Sequence, residues 1–140
     1  MNSAPKWVLI SAVALILWNL MGASMFVIDM MKSPEDIAAL PPDQRALWMQ
    51  MPSWAWAAYG VGTISGLLAA IGILIKKRWA AHLALLSAVA VIANFVPVFF
   101  MTEGVDVWQP KFYVFPLVIL AIALYQLWLA RKANKQGWAT

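Results

Sequence analysis

The chain has no cysteine, one histidine (His82) and only six acids in 140 residues. Without thiols there are no disulfide frameworks, thiolate metal sites or cysteine nucleophiles, although the redox compartment stays open. One histidine cannot furnish a two-histidine haem site, and no His, Asp and Glu fall at metal-binding spacing, so neither metal nor cofactor is expected. There is no serine–histidine–acid pattern and no pair of interior carboxylates. Gly60-x-Gly62 is not a nucleotide loop, because no strand precedes it. The chain is therefore not expected to be an enzyme. Charge is scarce throughout: 11% of residues are charged and 64% hydrophobic, against about 25% and roughly 45–50% in soluble domains. A soluble fold of this length could not hide so much apolar surface.

What the sequence does contain is four long apolar segments, at about 7–29, 54–75, 79–100 and 112–130. Each is near the ~20 residues that a helix rising ~1.5 Å per residue needs to cross the hydrocarbon of a bilayer. Lipid gives backbone polar groups no partner outside their own helix, so such runs are helical. The expected fold class is an all-α membrane protein, a four-transmembrane-helix bundle forming a single domain over 1–140. The first span has a basic flank in Lys6, as a signal peptide would. Its apolar run exceeds a signal core of about 7–15 residues, and no convincing cleavage site follows, so it is read as a retained helix.

The charges between the spans are sorted by side. Lys6, Lys76, Lys77, Arg78, Arg131, Lys132 and Lys135 share one side; Lys32, Arg45 and Lys111 lie on the other, with every acid: Asp29, Glu35, Asp36, Asp43, Glu103 and Asp106. Seven basic residues against three predict that both termini and the 76–78 turn are cytoplasmic. The net charge of +4 is read as topology and attraction to anionic lipid, not as nucleic-acid binding. Trp7, Trp79 and Trp128 at the inner interface, and Trp54, Trp56, Tyr59, Trp108 and Tyr113 at the outer one, fit amphipathic anchors.

The outer loop 31–53 has structure of its own. Ser33-Pro34-Glu35-Asp36 combines a capping hydroxyl, a first-turn proline and acids at the positive helix end. Pro41-Pro42 ends that helix, and a second short segment runs from Asp43 to Met51, stopped by Pro52. Leu47, Trp48 and Met51 share a face, so this amphipathic segment is expected to lie along the outer membrane surface. The second outer loop, 101–111, reads as irregular.

Charged groups at the bilayer centre cost roughly 2.5–3.5 kcal/mol on insertion scales and so mark function. None falls at the midplane here, which counts against a proton-driven antiporter built around a buried carboxylate. Neutral polar groups take their place. Ser11, Asn19, Gly22 and Asp29 form one stripe of span 1; Ser87 and Asn94 share a face of span 3; Pro116, Ala123, Gln126 and Ala130 share one of span 4. Span 2 has a small-residue stripe with Gly62-x-x-x-Gly66, which lets two helices approach closely within the bundle or between two copies. Two roles fit Asn19 and Asn94. They could join helices by hydrogen bonds worth about 0.6 kcal/mol on average. They could instead form a polar ligand site near the midplane with the Thr63 or Ser65 hydroxyl, Trp18 supplying a stacking face. Asp29 is either an interfacial carboxylate paired with Lys32 or Lys111, or the mouth of an outward-opening cavity. Pro97 and Pro116 would kink spans 3 and 4 and open the bundle outward. LISAVALI (9–16) and LLSAVAVI (85–92), each followed by an asparagine, fit either an internal repeat or chance within a small apolar alphabet.

Several segments together carry a likeness: Trp18-Asn19-Leu20-Met21-Gly22, the Ser33-to-Pro52 loop with its Ala39-Leu40-Pro41 core, the glycine-rich second span leading into Lys76-Lys77-Arg78-Trp79, and Gly137-Trp138. They resemble a family of short four-span bacterial membrane proteins often labelled sugar transporters. The resemblance implies a multi-pass protein of the bacterial inner (cytoplasmic) membrane and a transport role. The functional expectation is a small-solute, sugar-like transporter or carrier with a neutral polar site, working in the lipid bilayer, with a homodimer suggested by the little volume that four short spans enclose. The alternative is a non-transporting protein that binds lipid or quinone, or an accessory subunit of a membrane complex.

Overall fold

Proline sets where most of the helices begin. In the computed structural model, which describes residues 3–140, α1 (Lys6–Met30) follows Pro5 and α4 (Ser53–Leu74) follows Pro52. Proline lies in the first turn of α2 (Pro34–Ala38), α3 (Pro42–Gln50) and α6 (Pro110–Lys135). Its fixed φ suits a first turn, and the N–H it lacks would have had no partner there. Only α5 (Ala80–Val96) starts without one. At Pro97, α5 passes into a π-helical turn, Pro97–Met101, closed by the Thr102 hydroxyl donating to Pro97 O at 2.9 Å. Pro116 sits inside α6, where it leaves the carbonyl of Phe112 without its usual donor.

The four long helices are each long and apolar enough to span a membrane. Ile10, Leu17, Val89 and Leu117 are among the many large apolar side chains on their outer faces that stay more than half exposed, as lipid-facing residues do. The chain is an all-helical integral membrane protein. The four expected spans are present with their ends displaced by a few residues; α6 extends furthest beyond expectation, to Lys135. Successive helices are antiparallel neighbours, α1 on α4, α4 on α5 and α5 on α6. The two connections bearing the acids lie at one end, the acidic end, and the Lys76–Arg78 turn lies at the other, the basic end.

α4 is the central element because it is lined with small residues. Its Gly60, Gly62, Gly66, Ala69, Ala70 and Gly72 are all buried. A Cβ at Gly60 would fall 2.7 Å from Phe26 of α1, and one at Gly72 would fall 2.7 Å from Trp79. The Gly62/Gly66 pair is thus used within the chain, against α5 and α1, and is not left as a face for a second copy. By contrast α1 and α6 make almost no backbone approach. Side chains bridge that seam: Trp7 stacks on Trp128 at 6.4 Å, Ser11 Oγ meets Tyr125 Oη at 2.9 Å, and Trp18 meets Phe115 edge-on at 6.2 Å.

The half of the bundle toward the basic end is filled. Val8, Ala12, Leu15, Ala69, Ile73 and Leu129 form one buried cluster there. The basic end is closed by chain–chain pairing: Thr140 N–H donates to Lys76 O at 2.9 Å and Arg78 N–H to Thr140 O at 3.1 Å. Trp138 sits edge-on to Trp7 at 6.3 Å.

Two expectations change. The Leu47–Trp48–Met51 face of α3 is taken up by the protein itself. It turns over the open end of the bundle, where Trp48 packs on Trp56 of α4 at 4.4 Å, because the aromatic rim offers that face a closer apolar partner. The two similar octets also serve different purposes. Ser11 meets Tyr125, whereas Ser87 donates to Gly62 O at 2.8 Å. Their asparagines are one residue out of register, about 100° around a helix.

The capping box of α2 is complete: Asp36 N–H donates to Ser33 Oγ at 3.1 Å and Ser33 N–H to Asp36 Oδ2 at 3.0 Å. Those bonds favour the ionised form and hold the Asp36 carboxyl below its ordinary value. Its support for α2 is present above the ordinary carboxylate range and is lost as pH falls through the lowered value.

The glycines give a direct test. Gly66→Ala places a methyl 2.3 Å from Asn19 Oδ1 and 2.9 Å from Ser87 Oγ; it should destabilise the bundle by about 1–3 kcal/mol. Gly22→Ala meets only Thr63 Cγ2 at 3.5 Å, and should leave stability unchanged or raise it by up to about 1 kcal/mol. Unfolding in detergent, followed by helical circular dichroism, distinguishes the two.

Candidate functional site

The missing side chains of α4 expose its backbone to polar partners from α5 and α6. A helical carbonyl already bonded within its helix keeps a second lone pair, and two glycine carbonyls use it. Ser87 Oγ of α5 donates to Gly62 O at 2.8 Å, and Gln126 Nε2 of α6 donates to Gly66 O at 2.8 Å. Asn19 Nδ2 of α1 donates to Gln126 Oε1 and to Leu15 O, each at 2.8 Å. Asn19, Gly66, Ser87 and Gln126 form a node in which all four long helices meet, with Gln126 and Ser87 almost wholly buried.

Above this node, toward the acidic end, lies a cavity of about 480 Å³. Asn19, Ser87 and Gln126 belong to its wall, and the filled cluster of the basic half lies beyond them. Trp18, Trp56, Tyr59, Phe95, Phe112 and Phe115 give the remaining, mostly apolar wall several aromatic faces. Pro116 also lines it, so the missing backbone hydrogen bond of α6 lies near the open space.

α3 forms a lid. Its Gln44, Leu47, Trp48 and Met51 close the wall at the acidic end. Three contacts hold it: the Trp48–Trp56 ring pair, a reciprocal pair in which Gln50 Nε2 donates to Glu103 O and Glu103 N–H donates to Gln50 Oε1, each at 2.8 Å, and the Lys111–Asp43 ion pair at 3.0 Å. The ion pair is at least half exposed on both sides, so it contributes little.

At the mouth, Asp29 accepts from Lys32 Nζ at 2.6 Å and from the Tyr59 hydroxyl at 3.2 Å. Lys32 Nζ also sits 4.9 Å from the centre of the Trp48 ring. Of the two cations that could have paired with Asp29, Lys32 does so, and Lys111 pairs with Asp43.

The residues singled out from sequence separate into levels. Trp18, Asn19, Thr63, Asn94 and Asp29 all line the cavity. Asn94 is not beside Asn19, however: its amide donates to Ala55 O in the first turn of α4 at 2.9 Å, nearer the acidic end. The Thr63 hydroxyl is turned into its own helix, donating to Tyr59 O and Gly60 O at 3.1 Å. Ser65 is not part of the site; its hydroxyl bonds Val61 O on a buried face of α4 away from the cavity. Gln126 and Ser87 are the partners that sequence reasoning did not assign, although the stripes on spans 3 and 4 already placed both on inward faces. Tyr59 was read only as an interface anchor. No group of three or more His, Asp and Glu side chains that could hold a metal occurs among the described residues.

No family model, curated protein or solved structure matches the chain. The chemistry of the site rests on its geometry alone.

Two measurements check that geometry. A double-mutant cycle on Asn19→Ala and Gln126→Ala should give a coupling of about 0.6–1.7 kcal/mol, the range of interhelical bonds in membranes; a value near zero would remove the node. In hydrogen exchange, Trp48→Ala should speed exchange across 42–50 by about tenfold through loss of its ring contact. Asp43→Asn should change it by less than about twofold, since it breaks only an exposed pair.

Proposed function

We propose that the protein is a membrane carrier that admits a small solute at the acidic end and holds it above the Asn19–Gln126 node. One observation carries this reading: the cavity runs from the mouth to mid-bundle and stops at the buried core of the other half, which the shallow groove between α5 and α6 at the basic end does not enter. A carrier must expose its site to one side at a time, and a half-open, half-filled bundle is the form such a state takes. The excess of Lys and Arg at the basic end would make that end cytoplasmic, so the solute would be taken from outside. The likeness to four-span bacterial proteins labelled sugar transporters supports transport across the inner membrane.

A filled half can open only if its packing has a second arrangement. The α1–α6 seam supports such movement, because side chains and not close backbone contact hold it. The same seam favours a second reading, a non-transporting binder of lipid or quinone. A wide, aromatic-lined gap between two helices is also where a ligand would pass sideways from the bilayer.

Uptake into proteoliposomes separates the two. A carrier gives saturable uptake of a small solute from a panel of sugars, amines and amino acids. Asn19→Leu, checked for retained helicity and melting, should lower that uptake by about tenfold or more, since the node fixes the floor of the site. Binding without uptake of any solute would favour the non-transporting reading.

A further inference from the structure

The hydrogen-bond donors of the four long helices around the cavity are already engaged. The amides of Asn19, Asn94 and Gln126 and the hydroxyls of Tyr59, Thr63 and Ser87 all donate within the protein, mostly to backbone carbonyls. A sugar needs several donors and acceptors at once; the amide oxygens of Asn19 and Asn94 could accept, but beyond Gln44 of the lid this wall would have to break its own bonds to donate. What it does present freely is aromatic surface, with one carboxylate at its edge. Asp29 is the only acid in the wall, and its side chain is 19% exposed. Lys111, the only base there, is 60% exposed and already paired with Asp43.

The molecule also shows what the Asp29 corner holds. Lys32, from the short connection after α1 and outside the cavity wall, places its ammonium 2.6 Å from Asp29 Oδ1 and 4.9 Å from the centre of the Trp48 ring. A carboxylate together with an aromatic face is the arrangement that recognises organic ammonium groups. Asp29 and Trp48 both belong to the cavity wall, so a cation inside the cavity reaches the same two groups from the other side. Trp56 lies on Trp48 at 4.4 Å and on Tyr59 at 6.2 Å, which extends the aromatic surface inward.

Building on the reading of this cavity as a solute site, we infer that its ligands are apolar organic cations: an aromatic or branched alkyl body within the aromatic wall, and an ammonium head at Asp29 and Trp48. Lys32 is the resident cation that the head replaces. The pair Lys32–Asp29 keeps the empty mouth neutral, and Lys32, on a connection between helices, moves away when a ligand head takes its place.

The test uses the full chain in lipid nanodiscs and calorimetric titration, corrected for partition into protein-free discs. The probes are benzyltrimethylammonium, its uncharged carbon isostere neopentylbenzene, and glucose. The cation should bind about tenfold more tightly than the isostere, with glucose weakest. Asp29→Asn should bring the cation down to the level of the isostere. Lys32→Gln, which removes the competitor and leaves Asp29 unpaired, should tighten cation binding several-fold; this variant decides the matter even if Asp29→Asn fails to fold. Equal binding of cation and isostere, preference for glucose, or no tightening in Lys32→Gln overturns the inference and leaves the cavity a solute site. Absence of binding by all three probes overturns both. Preferred cation binding without uptake in proteoliposomes overturns only the carrier reading.

Discussion

The rest of the structure depends on a backbone carbonyl with no side chain beside it. Gly66 O accepts from Gln126, whose own carbonyl accepts from Asn19. A Cβ at Gly66 would overlap Asn19 and press on Ser87. In lipid there is no hydrophobic force to drive helices together, and close backbone approach plus interhelical hydrogen bonds must serve instead. The node meets both needs at one point, and it draws α1 and α6, which scarcely touch elsewhere by backbone, onto the same residue of α4.

Closing the bundle at that point decides where it is open. Small residues on α4, α5 and α6 let the core of the basic half fill, leaving only a shallow groove between α5 and α6 on its outside. Toward the acidic end the facing residues become bulky, with Trp18 against Phe115 and Phe26 against Tyr59. At Pro97 α5 gives way to a π-helical turn, and Pro116 removes one backbone hydrogen bond from the continuous α6. The space left between rings of fixed size becomes the cavity, and α3 covers it. Rings leave gaps where alanines do not, so the same sequence gives one filled half and one hollow half.

Much of this was legible in the sequence. The spans, their order and the inward stripes followed from lipid's refusal to solvate a backbone, a constraint strong enough to be read from composition and length. At Pro97 the helix changes to a π-helical turn, while α6 runs on through Pro116. The site was legible only in part, because a stripe gives direction around a helix but not height against its neighbour. Asn19 and Asn94 looked like partners, yet Asn94 belongs with Ala55 and Asn19 with Gln126. Ser65 and Thr63 looked available, yet both hydroxyls turn back to their own helix. The amphipathic face of α3 matched a lipid surface and a protein rim equally well, and only the positions of Trp48 and Trp56 tell them apart.

The central claim is that the Asn19–Gln126 node divides an open half from a filled half. The natural absence of cysteine makes labelling of single introduced thiols free of background. Ala123 lines the cavity and Ala130, two turns further along α6, lies in the filled cluster at 2% exposure. A small hydrophilic methanethiosulfonate reagent should modify Ala123→Cys and leave Ala130→Cys unmodified in the folded protein. Equal modification of the two positions, or faster modification at Ala130→Cys, would contradict the account.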